Sequence, residues 1–264
     1  MTARYWADLT VEEFRAVDTD RAIAILPVGA TEQHGPHLPL SVDSDLAAAV
    51  LNAAIPEIDP AVDVLILPMQ AIGRSIEHED FPGTLSLSAD TLMRLWMDIG
   101  AGVARAGLRK LVIFNGHGGN VSTMDIVARD LRAAHGMLTA HTSWYALAEP
   151  DGVLDAHELT HGIHGGALET SAMLAIREAA VRKDKMAAFP SAGEGWAERN
   201  RFVGVGGKPV KLGWLMQDLN PDGAAGDASA ADVATGCRLI ERAAANLAAF
   251  LSEFDAMEPP FRQA

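Results

Sequence analysis

Short apolar runs alternate with segments of helical periodicity along this chain of 264 residues. The apolar runs that predict buried strands occupy residues 21–29, 62–68, 110–115 and 137–144. The segments between them with apolar residues at helical spacing occupy residues 43–54, 89–106 and 121–134. Continuously apolar strands joined by helical crossovers are typical of a parallel sheet that is covered on both faces. The pattern therefore predicts an α/β three-layer sandwich with a mostly parallel central sheet.

The regions outside this alternation add further helices and one long irregular stretch. The additional helices are expected at residues 10–16, 167–182 and 230–254. Residues 148–164 are polar and rich in histidine, and residues 189–227 are rich in Gly, Pro and aromatic residues. A long irregular stretch of this kind is typical of a functional lid or a subunit contact. The length and the absence of a linker predict a single domain over residues 1–264.

The charge balance and the cysteine usage exclude several functions. The chain has 21 Lys and Arg against 35 Asp and Glu, which gives a formal net charge of −14, whereas a nucleic-acid surface needs clustered basic residues. The single cysteine, Cys237, cannot form an internal disulfide, and the first residues lack the apolar core of a signal peptide. No apolar run reaches the roughly 20 residues that span a bilayer. We therefore expect a cytoplasmic protein that binds no nucleic acid and no membrane.

Carboxylates and imidazoles stand in Gly-rich turns beside the predicted elements. The candidate metal ligands are Glu32, His34, Asp43, His117 and Glu169. Carboxylates and imidazoles without a thiolate are the ligands that hold Zn²⁺ or Mn²⁺ in hydrolytic sites. Glu32 and His34 follow the first predicted strand and His117 follows the third, and ligand sites of parallel sheets form at the carboxyl ends of the strands. The pattern predicts a metallohydrolase.

The spacing around the first strand allows three of these side chains to share one cavity. Glu32 and His34 are two residues apart, so both face the same side of an extended segment. Gly35 and Pro36 then bend the chain, which lets the next helix return Asp43 to the same place. Taken alone, Asp43 has a simpler role as a charge at a helix start.

The other histidines leave more alternatives open. His117 lies in a Gly-His-Gly-Gly-Asn turn, which alone would indicate a tight turn with a solvent-facing histidine. His157, His161 and His164 lie within eight residues of one another, shortly before Glu169. Their spacing does not decide which of them, if any, are ligands.

With these segments assembled, the chain resembles the creatininase family of metal-dependent amidohydrolases over nearly its whole length. The segments that carry the resemblance are residues 29–40 with Asp43, 81–84, 115–120, and 164–166 with Glu169, Thr170 and Ser171. The resemblance implies an α/β domain with two divalent ions at the carboxyl edge of a parallel sheet. It also implies assembly into hexamers, so we expect a homo-oligomer.

The resemblance further implies roles for individual residues. Glu32 and His117 match ligands of one ion, His34 matches a ligand of the other, and Asp43 matches the carboxylate that bridges both. His164 occupies the position of the family's catalytic histidine.

This chain departs from creatininase in the turn after the third strand. Creatininase has a Tyr-Glu pair there whose Glu binds the second ion, whereas this chain has Gly118 and Gly119. We expect Glu169 to supply the replacing carboxylate, because its helix follows the loop that carries His164. A Glu at a helix start is also favoured by the helix dipole without any ligand role.

The predicted function is metal-dependent hydrolysis of a C–N bond in a small cyclic amide of the creatinine type. Zn²⁺ and Mn²⁺ are the expected ions and Fe²⁺ is possible, since all three accept mixed carboxylate and imidazole ligands. Water held between the ions is the expected nucleophile, since bound ions lower its pKa to about 7. His164 is expected to carry a proton to the leaving nitrogen. We assign His164 and Glu169 as catalytic residues.

Two further enzyme substrates and one inactive alternative stay open. Relatives with the Gly-Gly turn cleave a formamide or a peptide bond, and a phosphate-bearing formamide would require basic residues, for which Arg74, Lys208 and Lys211 are the candidates. A catalytically inactive relative would bind only a small ligand or a partner protein. A dinucleotide-binding oxidoreductase is excluded, because no Gly-x-Gly-x-x-Gly follows the first strand.

Several neighbours of the candidate ligands have expected supporting roles. Gln33 and His37 are assigned to orienting the ligands by hydrogen bonds, which metal-bound imidazoles usually need. Glu77 and His78 either border the substrate pocket or anchor a loop.

Overall fold

A five-stranded parallel sheet forms the centre of the structure, a computed structural model that describes residues 4–258. The strands are β1 (Arg4–Tyr5), β2 (Ile23–Val28), β3 (Val64–Ile66), β4 (Lys110–Asn115), β5 (Leu138–Ser143), β6 (Ala188–Phe189), β7 (Val203–Gly204), β8 (Val210–Lys211) and β9 (Gly226–Asp227). The α-helices are α1 (Val11–Arg15), α2 (Val42–Ala54), α3 (Ala89–Arg105), α4 (Val121–His135), α5 (Trp144–Leu147), α6 (Ala156–His161), α7 (Ala167–Arg177), α8 (Ala192–Arg199), α9 (Met216–Leu219) and α10 (Val233–Ala256).

The central sheet has the strand order β1-β3-β2-β4-β5, and every pair of neighbouring strands is parallel. Its two longest pairings join β4 to β2 and to β5. All six residues of β2 and of β4 are buried. Strands that are covered on both faces read as continuous apolar runs, which is why the sequence pattern identified them. The expected α/β sandwich with a parallel central sheet is confirmed.

Alternate residues of each strand pack into two different apolar clusters. Ile23 and Ile25 of β2 belong to the cluster that includes buried residues of α2, α7 and α10. Ala24 and Leu26 belong to the cluster that includes buried residues of α3 and α4. Because successive strand side chains point to opposite faces, one strand contributes to both helical layers. The sheet is therefore the middle of three layers.

The principal expected strands and helices are present, with shifted ends. The helix expected over residues 167–182 ends at Arg177 as an α-helix, because the chain then turns and the Arg182 backbone N–H donates to the His37 carbonyl. The closing helix begins at Val233, where the Asp232 side chain accepts from the Thr235 backbone N–H. The opening helix has the capping box that its sequence predicts, with Thr10 and Glu13 bonding reciprocally.

The stretch expected to be irregular contains short elements. Strand β6 pairs antiparallel with β9, and β7 pairs parallel with β8. Along the chain, α8 lies between β6 and β7, and α9 lies between β8 and β9. Each of these strands has two residues. Such short strands carry no readable periodicity, so the sequence pattern predicted an irregular stretch and did not reveal these short elements. In the part of the chain described, no helix has the length and apolarity needed to traverse a bilayer.

We predict opposite stability effects for two glycine substitutions in helices. In Gly236→Ala the added carbon of α10 would lie 1.9 Å from the Ser171 carbonyl oxygen of α7, so we expect a loss of about 1–3 kcal/mol. In Gly102→Ala of α3 the nearest atom would be 3.6 Å away, so we expect a gain of about 0.5–1 kcal/mol from helix propensity. Thermal and urea unfolding of both variants test this. Equal effects would contradict the close approach of α10 to α7.

Candidate metal centre

The segment after β2 forms a closed loop that presents three acidic or imidazole side chains. The Glu32 backbone N–H donates to the Leu40 carbonyl at 3.0 Å, which closes the loop. Asp43 then lies in the first turn of α2 and is 2% exposed. Glu32 and His34 are completely buried. Local backbone bonding thus returns the helix start to the strand end, as the turn residues predict.

Hydrogen bonds from asparagine side chains fix the conformation of the turn after β4. Asn115 Oδ1 accepts from the His117 backbone N–H at 3.0 Å, and Asn115 Nδ2 donates to the His117 carbonyl at 2.6 Å. Asn120 Nδ2 donates to Asn115 Oδ1 and to the Gly29 carbonyl. A Cβ at Gly116 would lie 2.1 Å from the Asp43 carbonyl oxygen, so only glycine permits this approach. The two strand ends are therefore locked against each other, with His117 beside Asp43.

The third segment brings His164 and Glu169 to the same edge. His164 pairs with Ala225 through two backbone hydrogen bonds of 3.2 and 2.8 Å. Glu169 lies in the first turn of α7, and its Oε2 accepts from the Gly165 backbone N–H at 2.6 Å. Glu169 thereby curls its carboxylate back over the start of its own helix, toward His34 at 3.9 Å.

Together these side chains form overlapping groups whose atoms lie close enough to hold ions. The groups, each with ligand atoms within 4.8 Å of one another, are Glu32, Asp43 and His117; His34, Asp43 and Glu169; and Glu32, His34 and His164. Asp43 Oδ1 is 3.4 Å from His34 Nε2, and Asp43 Oδ2 is 3.5 Å from His117 Nδ1. Asp43 therefore lies between the first two groups. All five residues expected as ligands converge.

The hydrogen bonds of the two histidines fix which ring nitrogen faces the cluster. His34 Nδ1 donates to the Glu32 carbonyl at 3.1 Å, which leaves Nε2 for the cluster. His117 Nε2 donates to the Arg74 carbonyl at 2.9 Å, which leaves Nδ1 facing Glu32 Oε1 at 3.2 Å. A carbonyl oxygen can only accept, so the neutral form of each ring carries its proton on the side away from the cluster. This tautomer is the one that metal coordination requires.

Several buried atoms in this cluster have no hydrogen-bond partner among the described residues. They are both carboxylate oxygens of Glu32, His34 Nε2 and Asp43 Oδ2. Buried polar atoms are normally paired, and buried carboxylates are paired or bind metals. The residues that carry these atoms belong to the candidate ligand groups, and the atoms are hard or borderline donors. The residues therefore fit divalent ions.

The charges in the metal-free cluster shift one another's pKa values strongly. Burial lowers the pKa of His34, but Asp43, Glu169 and Glu32 outweigh it and raise the pKa to about 10. Burial likewise opposes the charge of His117, but Glu32 and Asp43 raise its pKa to about 10. Without ions, protons on these rings balance the carboxylates. Burial and the Glu32 charge raise the pKa of Asp43.

A second layer of polar side chains supports the cluster. The Gln33 side-chain amide donates to His78 Nδ1 at 2.7 Å, so the protonated His78 Nε2 faces Glu32 at 3.4 Å. His164 Nε2 donates to the Gln33 carbonyl at 2.7 Å, and its ring stacks on His78 with centroids 4.1 Å apart. Burial, with the nearby His34 charge, lowers the pKa of His164 well below its usual value. His164 is thus neutral, with Nδ1 free toward the cluster.

The remaining histidines lie outside this arrangement. His37 Nε2 donates to Thr170 Oγ1 at 2.9 Å, and among the described residues it forms no hydrogen bond with a candidate ligand, so it supports α7 rather than orienting an ion ligand. His157 and His161 lie on α6, with ring centroids 5.0 Å apart, and His157 pairs with Glu194 at 3.0 Å. They form no ion-holding group with the candidate ligands.

A cavity of about 410 Å³ opens above the cluster. Its lining includes the candidate ligands Glu32, Asp43, His117 and Glu169, together with Glu77, His78 and His164. Its apolar wall comprises Tyr145, Pro150, Leu154, Leu159, Ile163, Leu168 and Trp214. This volume falls within the range of small-molecule sites, about 300–1,000 Å³. Trp144 instead lies in the core, and Trp196 packs against the cluster of Met216, Leu219 and Ala225.

Glu158, a buried residue of α6 that also lines the cavity, is not among the residues that the sequence predicted for the site. Its Oε1 accepts from the Ala167 backbone N–H at 2.6 Å, and its Oε2 accepts from the Asp227 backbone N–H at 2.8 Å. A Cβ at Gly162 or at Gly166 would lie within 2.2 Å of this carboxylate. Glu158 therefore joins α6, the start of α7 and strand β9. The Gly-rich sequence around residue 165 was the available signal.

Basic side chains do not gather at the cavity. Among the described residues, no Lys or Arg lines it. Lys208 donates to the Asn200 carbonyl at 3.2 Å, and Lys211 is exposed on β8. Arg74 contributes its carbonyl to His117. The basic cluster that a phosphate-bearing substrate would require is therefore not formed by these three residues.

Buried carboxylates and imidazoles converge at the strand ends of a parallel α/β sheet. This arrangement is typical of α/β hydrolytic enzymes, and we assign the protein to this class. The sequence matches the creatininase family model, described as creatinine amidohydrolase, over residues 7–251. The chain belongs to the creatininase family of hydrolases, and the expected family is confirmed.

Individual relatives in this family carry different names. The mycofactocin precursor peptide peptidase of Mycolicibacterium smegmatis is 33% identical over 219 residues, which are 81% of this chain and 82% of the relative. The creatinine amidohydrolase of Pseudomonas putida is 33% identical over 202 residues, 70% of this chain and 76% of the relative. A solved structure named creatininase Mn has 27% identity and a TM-score of 0.74, and the match covers 94% of this chain and 97% of that one.

We predict that divalent-ion binding strengthens as pH rises. Coordination needs neutral rings, and the pKa values of His34 and His117 are raised to about 10 in the metal-free protein. Binding near pH 7 therefore releases protons, and each released proton strengthens binding by about tenfold per pH unit. Calorimetry of Mn²⁺ binding in buffers of different ionisation enthalpy counts the protons. The exposed His157→Gln variant should give the same count, and a pH-independent affinity would contradict the charge balance.

We predict that Glu158→Gln is destabilising. The new amide would place a donor against a backbone N–H and leave one buried group unpaired, which costs about 1–3 kcal/mol. Urea unfolding measures the loss. Glu178→Gln, at an exposed position, serves as the matched control and should change stability by less than about 0.5 kcal/mol. Equal stability of the two variants would show that Glu158 does not join the three segments.

Proposed function

We propose that this protein is a divalent-metal-dependent amidohydrolase that cleaves a C–N bond of a small amide. The observation that carries the proposal is the convergence of buried, unpaired oxygen and nitrogen atoms of Glu32, His34 and Asp43 at the carboxyl edge of the sheet. Within residues 4–258, no protein group forms a hydrogen bond with these atoms. Membership in a family of hydrolases supports the same chemistry.

Two ions are the proposed cofactor complement, with Zn²⁺ or Mn²⁺ favoured and Fe²⁺ possible. Glu32, Asp43 and His117 would hold one ion, and His34, Asp43 and Glu169 would hold the other. Asp43 is shared by both groups, which supports its assignment as the bridging carboxylate. Bound divalent ions lower the pKa of water to about 7 and polarise a carbonyl.

The protein's own groups supply the proton transfers. Addition of water to an amide yields a carboxylic acid and an amine, so a proton must leave the water and reach the nitrogen. His164 is suited to carry it, because the ring is neutral and its Nδ1 faces the cavity 3.8 Å from Glu32 Oε1. Gln33 holds the ring through its carbonyl. Glu169, 3.9 Å from His34 Nε2, is a candidate ligand and the second proposed catalytic residue.

Two substrate types are candidates. A small cyclic amide of the creatinine type is supported by the family model and by the creatinine amidohydrolase relative. A peptide bond is supported by the relatives that are named mycofactocin precursor peptide peptidase. A phosphate-bearing formamide is disfavoured by the absence of Lys and Arg from the described cavity lining. A catalytically inactive binding role is disfavoured by the convergence of every candidate ligand.

The single-domain organisation, homo-oligomeric assembly as a hexamer and cytoplasmic location belong to the same proposal. Resemblance to the family supports the assembly, and light scattering of the purified chain measures it directly. A monomeric mass would remove the hexamer from the proposal without affecting the chemistry of one subunit.

We predict that metal-loaded protein hydrolyses an amide and that Glu32→Gln abolishes this activity. The substitution removes a buried carboxylate shared by two of the candidate groups, so we expect loss of bound metal and a decrease in kcat/KM of at least about a thousandfold. Elemental analysis and a panel of creatinine, N-formyl amines and short peptides provide the measurements. Glu57→Gln, outside the cavity, is the matched control. The proposal would be refuted if the purified wild-type protein contained no divalent ion and Glu32→Gln retained full activity.

A further inference from the structure

Glu77 is a cavity-lining carboxylate that the proposed metal chemistry does not use. It belongs to none of the groups able to hold an ion. Its side chain is 15% exposed, and its Oε1 lies 3.6 Å from His117 Nε2, whose proton is already donated to the Arg74 carbonyl. Among the described residues, Glu77 forms no ion pair with any Lys or Arg. Its carboxylate therefore lines the cavity without a Lys or Arg partner, and its own backbone N–H lies against it.

The Gly-Gly turn after β4 makes room for this carboxylate. A Cβ at Gly119 would lie 2.5 Å from Glu77 Oε1. The same Cβ would lie 2.4 Å from the Arg74 carbonyl oxygen and from His117 Nε2, so the lack of a side chain at Gly119 leaves space for this turn and for the Glu77 carboxylate. A carboxylate from a different segment thus occupies the side of the cavity next to His117.

The other carboxylates of the cavity are either candidate metal ligands or hydrogen-bonded to the backbone. Glu32, Asp43 and Glu169 belong to the candidate ligand groups. Both oxygens of Glu158 accept backbone N–H groups. Within the described residues, Glu77 is the cavity carboxylate left over, and no Lys or Arg in the lining offsets it. An anionic substituent beside it would be repelled, whereas an N–H donor or a cation would be attracted.

We infer that Glu77 is a specificity residue that accepts a hydrogen bond from an amine or ammonium group of the substrate. This inference rests on the proposed amide hydrolysis and narrows its substrate class. The favoured substrate is a small amide that bears an N–H donor or ammonium group and an apolar group. The apolar group packs against the apolar part of the lining, which includes Leu154, Leu159 and Ile163. Amides with a carboxylate or phosphate in that place are poor substrates.

The test compares Mn²⁺-loaded full-length protein with its Glu77→Gln variant on three p-nitroanilides. Phenylalanine p-nitroanilide bears an ammonium, 3-phenylpropionyl p-nitroanilide is neutral, and benzylsuccinyl p-nitroanilide bears a carboxylate. A hydrogen bond to a charged group corresponds to roughly tenfold or more in affinity. In the wild type, we expect kcat/KM to fall by about tenfold from the ammonium substrate to the neutral substrate, and by about tenfold again to the carboxylate substrate. The decrease should come mainly from a rise in KM. Glu77→Gln should remove the preference for the ammonium substrate.

Two controls separate this effect from loss of the metal or of the fold. Glu79→Gln changes an exposed carboxylate of the same segment and should behave as the wild type. Metal content and melting temperature of Glu77→Gln should match those of the wild type. Equal kcat/KM for the three substrates, or a preference that Glu77→Gln retains, would overturn the inference while leaving amide hydrolysis intact.

A binding measurement keeps the inference testable if no p-nitroanilide is cleaved. Absence of any hydrolysis by metal-loaded wild type would count against the proposed function itself. Calorimetry with benzylammonium and with benzyl alcohol then tests Glu77 independently of turnover. Benzylammonium should bind the wild type about tenfold more tightly than Glu77→Gln, and benzyl alcohol should bind both equally. Equal binding of benzylammonium to both proteins would overturn the inference.

Discussion

The structure depends on a cluster of buried charges that the protein's own groups do not satisfy. Glu32, His34 and Asp43 are buried at the edge of the sheet, and atoms of each lack a hydrogen-bond partner. Burying an unpaired polar or charged group is costly. A fold that retains several such atoms at one point is organised for an occupant with positive charge. The asparagine-braced turn after β4 and the closed loop after β2 hold the cluster against this cost.

The central sheet and its main helices could be predicted from sequence, because buried parallel strands and amphipathic helices have different periods. The candidate ligands were also predictable, since Glu32, His34 and His117 lie where strands end in Gly-rich turns. The strands of two residues in 188–227 were not, because nearby chain segments rather than local periodicity create them. Boundaries such as Arg177 depend on a distant carbonyl, that of His37.

The residues around the cluster show more clearly which features could not be predicted from the sequence. Glu158 is an ordinary acidic residue in sequence, and its role exists only because the fold brings two backbone N–H groups, of Ala167 and Asp227, to its carboxylate. His78 is similar, since its orientation is set by the Gln33 side chain from another segment. A motif identifies groups that share a short stretch of chain. It does not identify a side chain whose partners lie far away along the sequence.

The cavity draws its two sides from separate parts of the chain. The ion-facing side comes from strand ends and the start of α7, whereas much of the apolar wall comes from the connection between α5 and α7. The same connection also carries Glu158 and His164, whereas its apolar residues Leu154, Leu159 and Ile163 form none of the bonds around Asp43 and His117. Substrate choice can therefore diverge during evolution through these apolar positions, as long as Glu158 and His164 are retained.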